Sequence, residues 1–153
     1  MATPFPHRYQ VGLLWDGAGG GTLSGGARPP IEGGAPPEFD GRDSWWSPEH
    51  LLLSSLSLCL MTTFQALMTR SDVALAAYES RGEAVLDRVP EGVGFTSIIL
   101  HVRVKVASDD VERARGLLVK AKSHCIVANA LMPPVHLDAV VTADVPAEVL
   151  VHA

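Results

Sequence analysis

The stretch SPEHLLLSSLSLCLMTTFQALMTR, residues 47–70, decides the fold. Ser47 suits the N-cap of a helix, because its side-chain oxygen can accept a hydrogen bond from an unpaired amide of the first turn. Pro48 suits the first helical position, and Glu49 complements the helix dipole there. The remainder is apolar on nearly every face and predicts a buried helix. Because a small domain hardly covers such a helix on every side, we expect a second subunit to cover part of it.

The N-terminal side of this helix combines one predicted strand with a long segment rich in glycine and proline. Residues 9–15 alternate in the manner of a strand, with their apolar side chains on one face. A connection as long as 16–47 is usually either functional or disordered. We expect an ordered segment, because it carries three large aromatic anchors, Phe39, Trp45 and Trp46.

The C-terminal side predicts two long strands, a second helix and a closing strand. Residues 73–88 and 95–106 are predicted to be strands. In the second, apolar and polar residues alternate so regularly that it predicts a sheet with one buried and one solvent-exposed face. A helix is predicted to start at Ser108, with an apolar stripe that reaches Cys125 by a further helical step. Val135–Ala143 predicts the last strand. Strands interrupted by two helices indicate an α+β fold, not a doubly wound parallel sheet.

Length, composition and charge narrow the class of protein. A chain of 153 residues with 47% apolar and 19% charged residues suits a single globular domain over 1–153. The net charge of −5, without a basic stripe, argues against a nucleic-acid partner or an anionic membrane surface. The N-terminus lacks the pattern of a signal peptide, and no uninterrupted apolar run reaches the length of a membrane span. We therefore expect a cytoplasmic protein, whose thiols are kept reduced.

The two cysteines, Cys59 and Cys125, are the residues with the clearest chemical potential. Each on its own is most simply a small hydrophobic core residue, because free cysteine is among the most buried residue types. As a pair they could act in redox chemistry, in which one thiolate is oxidised to a sulfenic acid and a second thiol converts it to a disulfide. That chemistry needs the two sulfurs at disulfide distance, which spacing in the sequence neither requires nor excludes.

Metal and cofactor motifs are not apparent. His124 beside Cys125 could suggest a metal ligand, but the tight spacings typical of zinc sites do not occur. The glycine cluster at residues 17–21 has neither P-loop nor dinucleotide-binding spacing. These spacings argue against a metal site and against a phosphate-binding site.

Glu49 precedes Cys59 by roughly 15 Å of helical rise and lies on a different face of the helix. It is either a first-turn residue that favours the dipole or part of a site completed by another segment or subunit.

Two segments resemble the family of osmotically inducible protein C and organic hydroperoxide resistance proteins. SPEHLLLSSLSLC, residues 47–59, resembles the family's N-P-E-E-L-L-x-A-A-x-A-x-C motif. AKSHCIVANAL, residues 121–131, resembles its second motif, A-K-x-x-C-P-V-S-x-A-L, with Ile126 in place of the usual proline. The element order fits as well, so that the resemblance covers about residues 9 to 145.

The resemblance implies a fold, an assembly and a site. The family fold has curved antiparallel sheets with two main helices in an intertwined homodimer, and the sites lie at the dimer interface. By resemblance, Cys59 is the peroxidatic cysteine, Cys125 the resolving one, and Glu49 the family glutamate. The resemblance implies no cofactor, an organic hydroperoxide as substrate and an external dithiol as reductant.

The family arginine, which stabilises the thiolate, has no match in this sequence. One branch carries it just before F-E-G, where this chain has Glu38. Another carries it in the early glycine-rich hairpin, which contains no arginine here. Arg28 and Arg42 are the candidates to replace it, although neither matches a motif.

Three functions follow from this pattern. The first is a thiol peroxidase for alkyl or lipid hydroperoxides, favoured by the presence of both cysteines. The second is a non-catalytic protein that binds a small apolar or electrophilic ligand, favoured by the missing arginine. The third is a redox sensor whose disulfide alters the packing of the dimer.

Overall fold

The computed structural model describes residues 4–144. Two parts of the predicted domain lie outside that range: residues 1–3, at the start of the segment that lacks a signal-peptide pattern, and residues 145–153. The strands are β1 Gly12–Trp15, β2 Gly20–Ser24, β3 Ile31–Gly34, β4 Leu75–Val89, β5 Gly92–Val106 and β6 Val135–Ala143; the helices are α1 Pro48–Arg70, α2 Val111–His124 and α3 Ile126–Asn129. The chain forms two compact units, Met1–Leu52 and Leu53–Ala153.

The first unit is built on a small antiparallel sheet in the order β1-β2-β3. Residues 16–47 are ordered, as expected, and contain β2, β3 and a short 3₁₀ helix, Pro37–Phe39. The chain then returns beside β3, where the amide of Gly34 donates to the carbonyl oxygen of Trp46 at 3.1 Å. The predicted strand over 9–15 is shorter than expected, since pairing with β2 begins only at Gly12.

The glycines of this sheet make room for an indole ring. A Cβ atom on Gly20 would lie 2.8 Å from ring atoms of Trp45, and one on Gly34 would overlap the same ring. Only glycine lets the backbone approach a bulky side chain so closely. The glycine-rich sequence therefore serves packing at these two positions.

Helix α1 begins as the sequence predicts. Ser47 is fully buried, and its Oγ accepts a hydrogen bond from the His50 amide at 3.3 Å. The buried side chains of α1 recur every fourth residue and form a single stripe: Leu56, Leu60, Phe64 and Met68. As expected, the single chain does not cover the helix on every side, since Leu58 on another face is 60% exposed; its cover by a second subunit stays a prediction.

Among residues 4–144, α1 is the one helix long and apolar enough to cross a membrane, judged by length and composition alone. Its packing is instead that of a core helix. Phe64 lies against the ring of Tyr78 on β4, with ring centroids 6.0 Å apart, and Leu53 lies close to Gly82 of the same strand.

The second unit contains a three-stranded sheet in the order β4-β5-β6. Strands β4 and β5 form a long antiparallel pair. Strand β6 pairs parallel to β5, so the expectation of purely antiparallel sheets is wrong here. The physical reason is the connection: α2 carries the chain back along the sheet before β6 starts, and such a crossover joins parallel strands. As predicted, alternate residues of β5 from Ile98 to Val106 are buried in the core.

Helix α2 lies against this sheet through the predicted apolar stripe, in which Ala114, Leu118 and Ala121 are buried. The helix ends at His124. Cys125 has an extended backbone, with φ −70° and ψ 107°, and α3 follows it. The prediction that Cys125 continues the α2 stripe is therefore wrong for the backbone, although its side chain does enter the core.

Candidate active site

The second unit brings the two cysteines together. Cys59 lies in the middle of α1 and is half-buried, whereas Cys125, at the junction of α2 and α3, is 1% exposed. Both are free thiols. The Cys59 side chain lies close enough to Cys125 to help raise the pKa of Cys125. In this arrangement the more exposed sulfur of Cys59 can meet a reagent, and the buried sulfur of Cys125 lies near it.

The environment of Cys125 favours the neutral thiol. Burial is the main cause that raises the pKa of Cys125, and the neighbouring Cys59 thiol raises it further. Hydrogen bonds from the backbone at Ala128 and Val127 act in the opposite direction without cancelling the effect. A buried thiol with a raised pKa is a slow nucleophile until its negative charge is stabilised.

Tyr78 is a member of this cluster that the sequence did not indicate. It lies on β4, packs against Phe64, and interacts electrostatically with Cys125. Burial is the main cause that raises the pKa of Tyr78, so the hydroxyl group stays protonated at neutral pH. Alternation along β4 can indicate that Tyr78 faces inward, but no local pattern connects it with a cysteine 47 residues further along the chain.

Glu49 lies in the first turn of α1, within the first unit, and is half-buried. Its Oε2 atom is buried and has no hydrogen-bond partner among residues 4–144. A buried carboxylate oxygen without a partner is costly, and such groups commonly await a ligand or a partner chain. A role for Glu49 in the site stays a prediction.

The two candidate arginines also belong to the first unit, and each is exposed. Arg28 donates a hydrogen bond from Nη1 to the carbonyl oxygen of Gly25 at 2.7 Å. The Arg42 guanidinium lies over the ring of Trp45, 4.5 Å from its centroid. Glu38, which stands in place of the family arginine, is exposed on the 3₁₀ helix. Either arginine as a thiolate-stabilising group stays a prediction.

No group of three or more His, Cys, Asp or Glu side chains in the described part of the chain could hold a metal ion. His124 does not face a shared metal position with Cys125; its Nδ1 lies 2.8 Å from the carbonyl oxygen of Lys120, one turn back on α2.

A second polar cluster occupies the solvent face of the β4–β6 sheet. His101 Nδ1 lies 2.8 Å from the carboxylate of Asp138, and His101 Nε2 lies 3.5 Å from that of Glu83. His101 and Asp138 border a groove of about 440 Å³ that Arg81 and Arg103 also line. Neither cysteine lines this groove.

The chain is an α+β protein whose second unit places two free thiols near each other, Cys59 on α1 and Cys125 directly after α2. Residues 41–139 match the model of the family described as OsmC-like protein, and the chain belongs to that family. The match includes Glu49 and both cysteines.

Known proteins agree with this assignment. An uncharacterized protein of Bacillus subtilis, YmaD, is 29% identical over 108 residues, which are 67% of this chain and 71% of that protein. Peroxiredoxin OsmC of Escherichia coli is 26% identical over 92 residues, 60% of this chain and 64% of that protein. A solved OsmC-like protein of unknown function from Vibrio cholerae superposes with a TM-score of 0.79 at 16% identity, covering 88% of this chain and all of the other. That last similarity shows the fold alone.

Proposed function

We propose that the protein is a cysteine-based peroxidase that reduces organic hydroperoxides. The observation that carries the proposal is that the half-buried Cys59 and the buried Cys125, both free thiols, are close enough for Cys59 to raise the pKa of Cys125. Membership of the OsmC-like family, with a relative named as a peroxiredoxin, supports it. An apolar peroxide suits the site, because Cys59 packs against the hydrophobic core and follows the exposed Leu58 on α1.

The reaction has two oxidation steps. The Cys59 thiolate attacks the outer oxygen of R–O–O–H; an S–O bond forms, the O–O bond breaks, and the departing alkoxide takes a proton to become an alcohol. The Cys125 sulfur then attacks the Cys59 sulfenic acid. A disulfide forms, the S–O bond breaks, and the hydroxyl leaves as water with the proton of Cys125. An external dithiol restores both thiols by exchange, which is consistent with a cytoplasmic location.

The experiment that tests this function follows peroxide consumption with dithiothreitol as the dithiol. We expect cumene hydroperoxide to react at least about tenfold faster than hydrogen peroxide, since the alkyl group gains apolar contacts worth one or two buried methylenes or more. Free cysteine at equal concentration is the control. A rate no higher than that of free cysteine for either peroxide would contradict the proposal.

A second candidate is ligand binding without turnover, favoured by one observation: Glu38 stands where a family branch has its arginine. The same assay separates the two functions, because a binding protein would show no catalytic consumption of hydroperoxide. Redox sensing would appear as a single oxidation without sustained turnover.

The proposal includes a homodimer, as the family resemblance implies. Its support in this chain is the exposed apolar surface, which includes Leu58 of α1 and, in the first unit, Leu13 and Trp15 of β1. We expect sedimentation velocity at micromolar concentration to give a dimer, and Leu58→Glu to weaken it, because a buried unpaired carboxylate opposes association. Val119→Glu on α2 is the matched control, since Val119 is 64% and Leu58 60% exposed in the single chain. A wild-type monomer would contradict this part of the proposal.

A further inference from the structure

The turn that joins α2 to α3 contains Cys125 and is closed by two hydrogen bonds from one residue, Asn129. The backbone amide of Asn129 donates to the carbonyl oxygen of Cys125 at 3.0 Å. The side-chain amide of Asn129 donates from Nδ2 to the carbonyl oxygen of Ser123 at 3.1 Å. Ser123 lies in the last turn of α2, and Asn129 is the last residue of α3. Asn129 therefore links the chain before Cys125 to the chain after it.

The side-chain bond meets a need of the end of α2. The last four carbonyl groups of an α-helix have no partner within the helix. The carbonyl oxygen of Lys122 accepts a hydrogen bond from the Cys125 amide at 3.3 Å. The next carbonyl group, that of Ser123, is bonded by the side chain of Asn129. Because a carbonyl oxygen only accepts, the NH₂ group of the asparagine is the part that makes this bond.

The residue after Cys125 gives the turn little restraint of its own. Cys125 has an extended backbone, with φ −70° and ψ 107°, which is the region that a following proline requires. The following residue is Ile126, whose side chain is 76% exposed and so does not anchor the turn by packing. A proline at this first position of α3 would fix φ, whereas isoleucine leaves it free. The two bonds of Asn129 supply the restraint that isoleucine does not.

We propose that Asn129 is a positioning residue for the resolving step, because its two hydrogen bonds hold the turn that presents the Cys125 sulfur to the oxidised sulfur of Cys59. The inference rests on the proposed peroxidase function. A disulfide forms only within narrow limits of distance and dihedral angle, so the step depends on where the turn places Cys125. Its speed matters, since a sulfenic acid that is not resolved can be oxidised further to a sulfinic acid.

The direct test isolates the resolving step without a peroxide, with the aromatic disulfide dithiobis(nitrobenzoate) as the oxidant. The thiolate of the half-buried Cys59 attacks this disulfide, a mixed disulfide forms on Cys59, and one coloured thionitrobenzoate leaves. The Cys125 thiolate then attacks the Cys59 sulfur, having lost its proton to the buffer. The Cys59–Cys125 disulfide closes and a second thionitrobenzoate leaves. Absorbance records the two releases as separate phases, and Cys125→Ala, which lacks the second, identifies the first.

Asn129→Asp keeps the shape of the side chain and replaces the donor by an acceptor, so that the bond to the Ser123 carbonyl is lost. We expect the first phase to be unchanged and the second to slow roughly fivefold, the factor that one hydrogen bond of ordinary strength supports. Asn129→Ala, which adds no charge, should behave in the same way. Ser123→Ala is the matched control: it removes the bond from Ser123 Oγ to the Lys120 carbonyl oxygen at 2.8 Å but keeps the carbonyl group that Asn129 binds.

The rescue variant separates positioning from a general loss of stability. Adding Ile126→Pro to Asn129→Asp should return the second phase to within about twofold of the wild type, because proline restores the restraint on the turn. Closure at the wild-type rate in Asn129→Asp, equal slowing in Ser123→Ala, or no recovery with the proline would overturn the role of Asn129. If cumene hydroperoxide does not oxidise Cys59, the proposed function fails, whereas the closure assay still decides the role of Asn129.

Discussion

Replacing Cys59 by serine is expected to lower the rate of organic hydroperoxide reduction roughly a thousandfold or more, to the level of the uncatalysed reaction. The reason is chemical: a serine hydroxyl is hardly ionised near neutral pH, whereas a thiol is an intrinsically strong nucleophile. Because Cys59 is half-buried and lies within a regular helix, the substitution should leave the fold intact. The measurement is steady-state consumption of cumene hydroperoxide with dithiothreitol.

Ser55→Ala is a suitable control for this variant, since Ser55 lies on the same helix and is exposed. It should retain wild-type activity, and both variants should unfold at temperatures close to that of the wild type. Activity retained in Cys59→Ser would show that Cys59 is not the residue that attacks the peroxide, and would leave Cys125 as the candidate.

Replacing Cys125 should divide the reaction in two. In Cys125→Ala, Cys59 is still oxidised, but no second thiol is present to convert the sulfenic acid. We expect one equivalent of hydroperoxide to be consumed per subunit in the absence of reductant, at a rate within a few-fold of the wild type. The product should then persist as a sulfenic acid that dimedone labels. Alanine is preferred to serine because the site is buried, and an unpaired hydroxyl there would destabilise the fold.

The contradicting result for Cys125→Ala is equally clear. Repeated turnover at the wild-type rate with dithiothreitol, and no trapped sulfenic acid, would mean that the external dithiol reduces Cys59 directly. Cys125 would then be a structural core residue, as its burial alone would suggest.

Local patterns in the sequence predict much of this fold. The cap at Ser47, the bounds of α1, the alternation of β5 and the stripe of α2 all follow from interactions between residues close in sequence. The direction of β6 does not, since alternation describes the faces of a strand and not its orientation. The closeness of the glycines to Trp45 likewise depends on contacts across the sheet, which a glycine-rich sequence only hints at.

The candidate site is harder to predict for the same reason. Cys59 and Cys125 could be paired from the sequence only through the resemblance to a family, because their closeness depends on how the chain packs over 66 residues of separation and not on a local pattern. Tyr78 carries no motif, and only the fold shows that its ring packs against Phe64 of α1. The missing arginine is visible in the sequence, but its replacement by Arg28 or Arg42 stays a prediction.

The most direct test of the central claim is to treat the reduced wild-type protein with one equivalent of cumene hydroperoxide and map its peptides by mass spectrometry without reduction. We predict rapid loss of both thiols and a disulfide that joins the Cys59 peptide to the Cys125 peptide. Two thiols that persist, or that disappear no faster than free cysteine, would contradict the peroxidase mechanism.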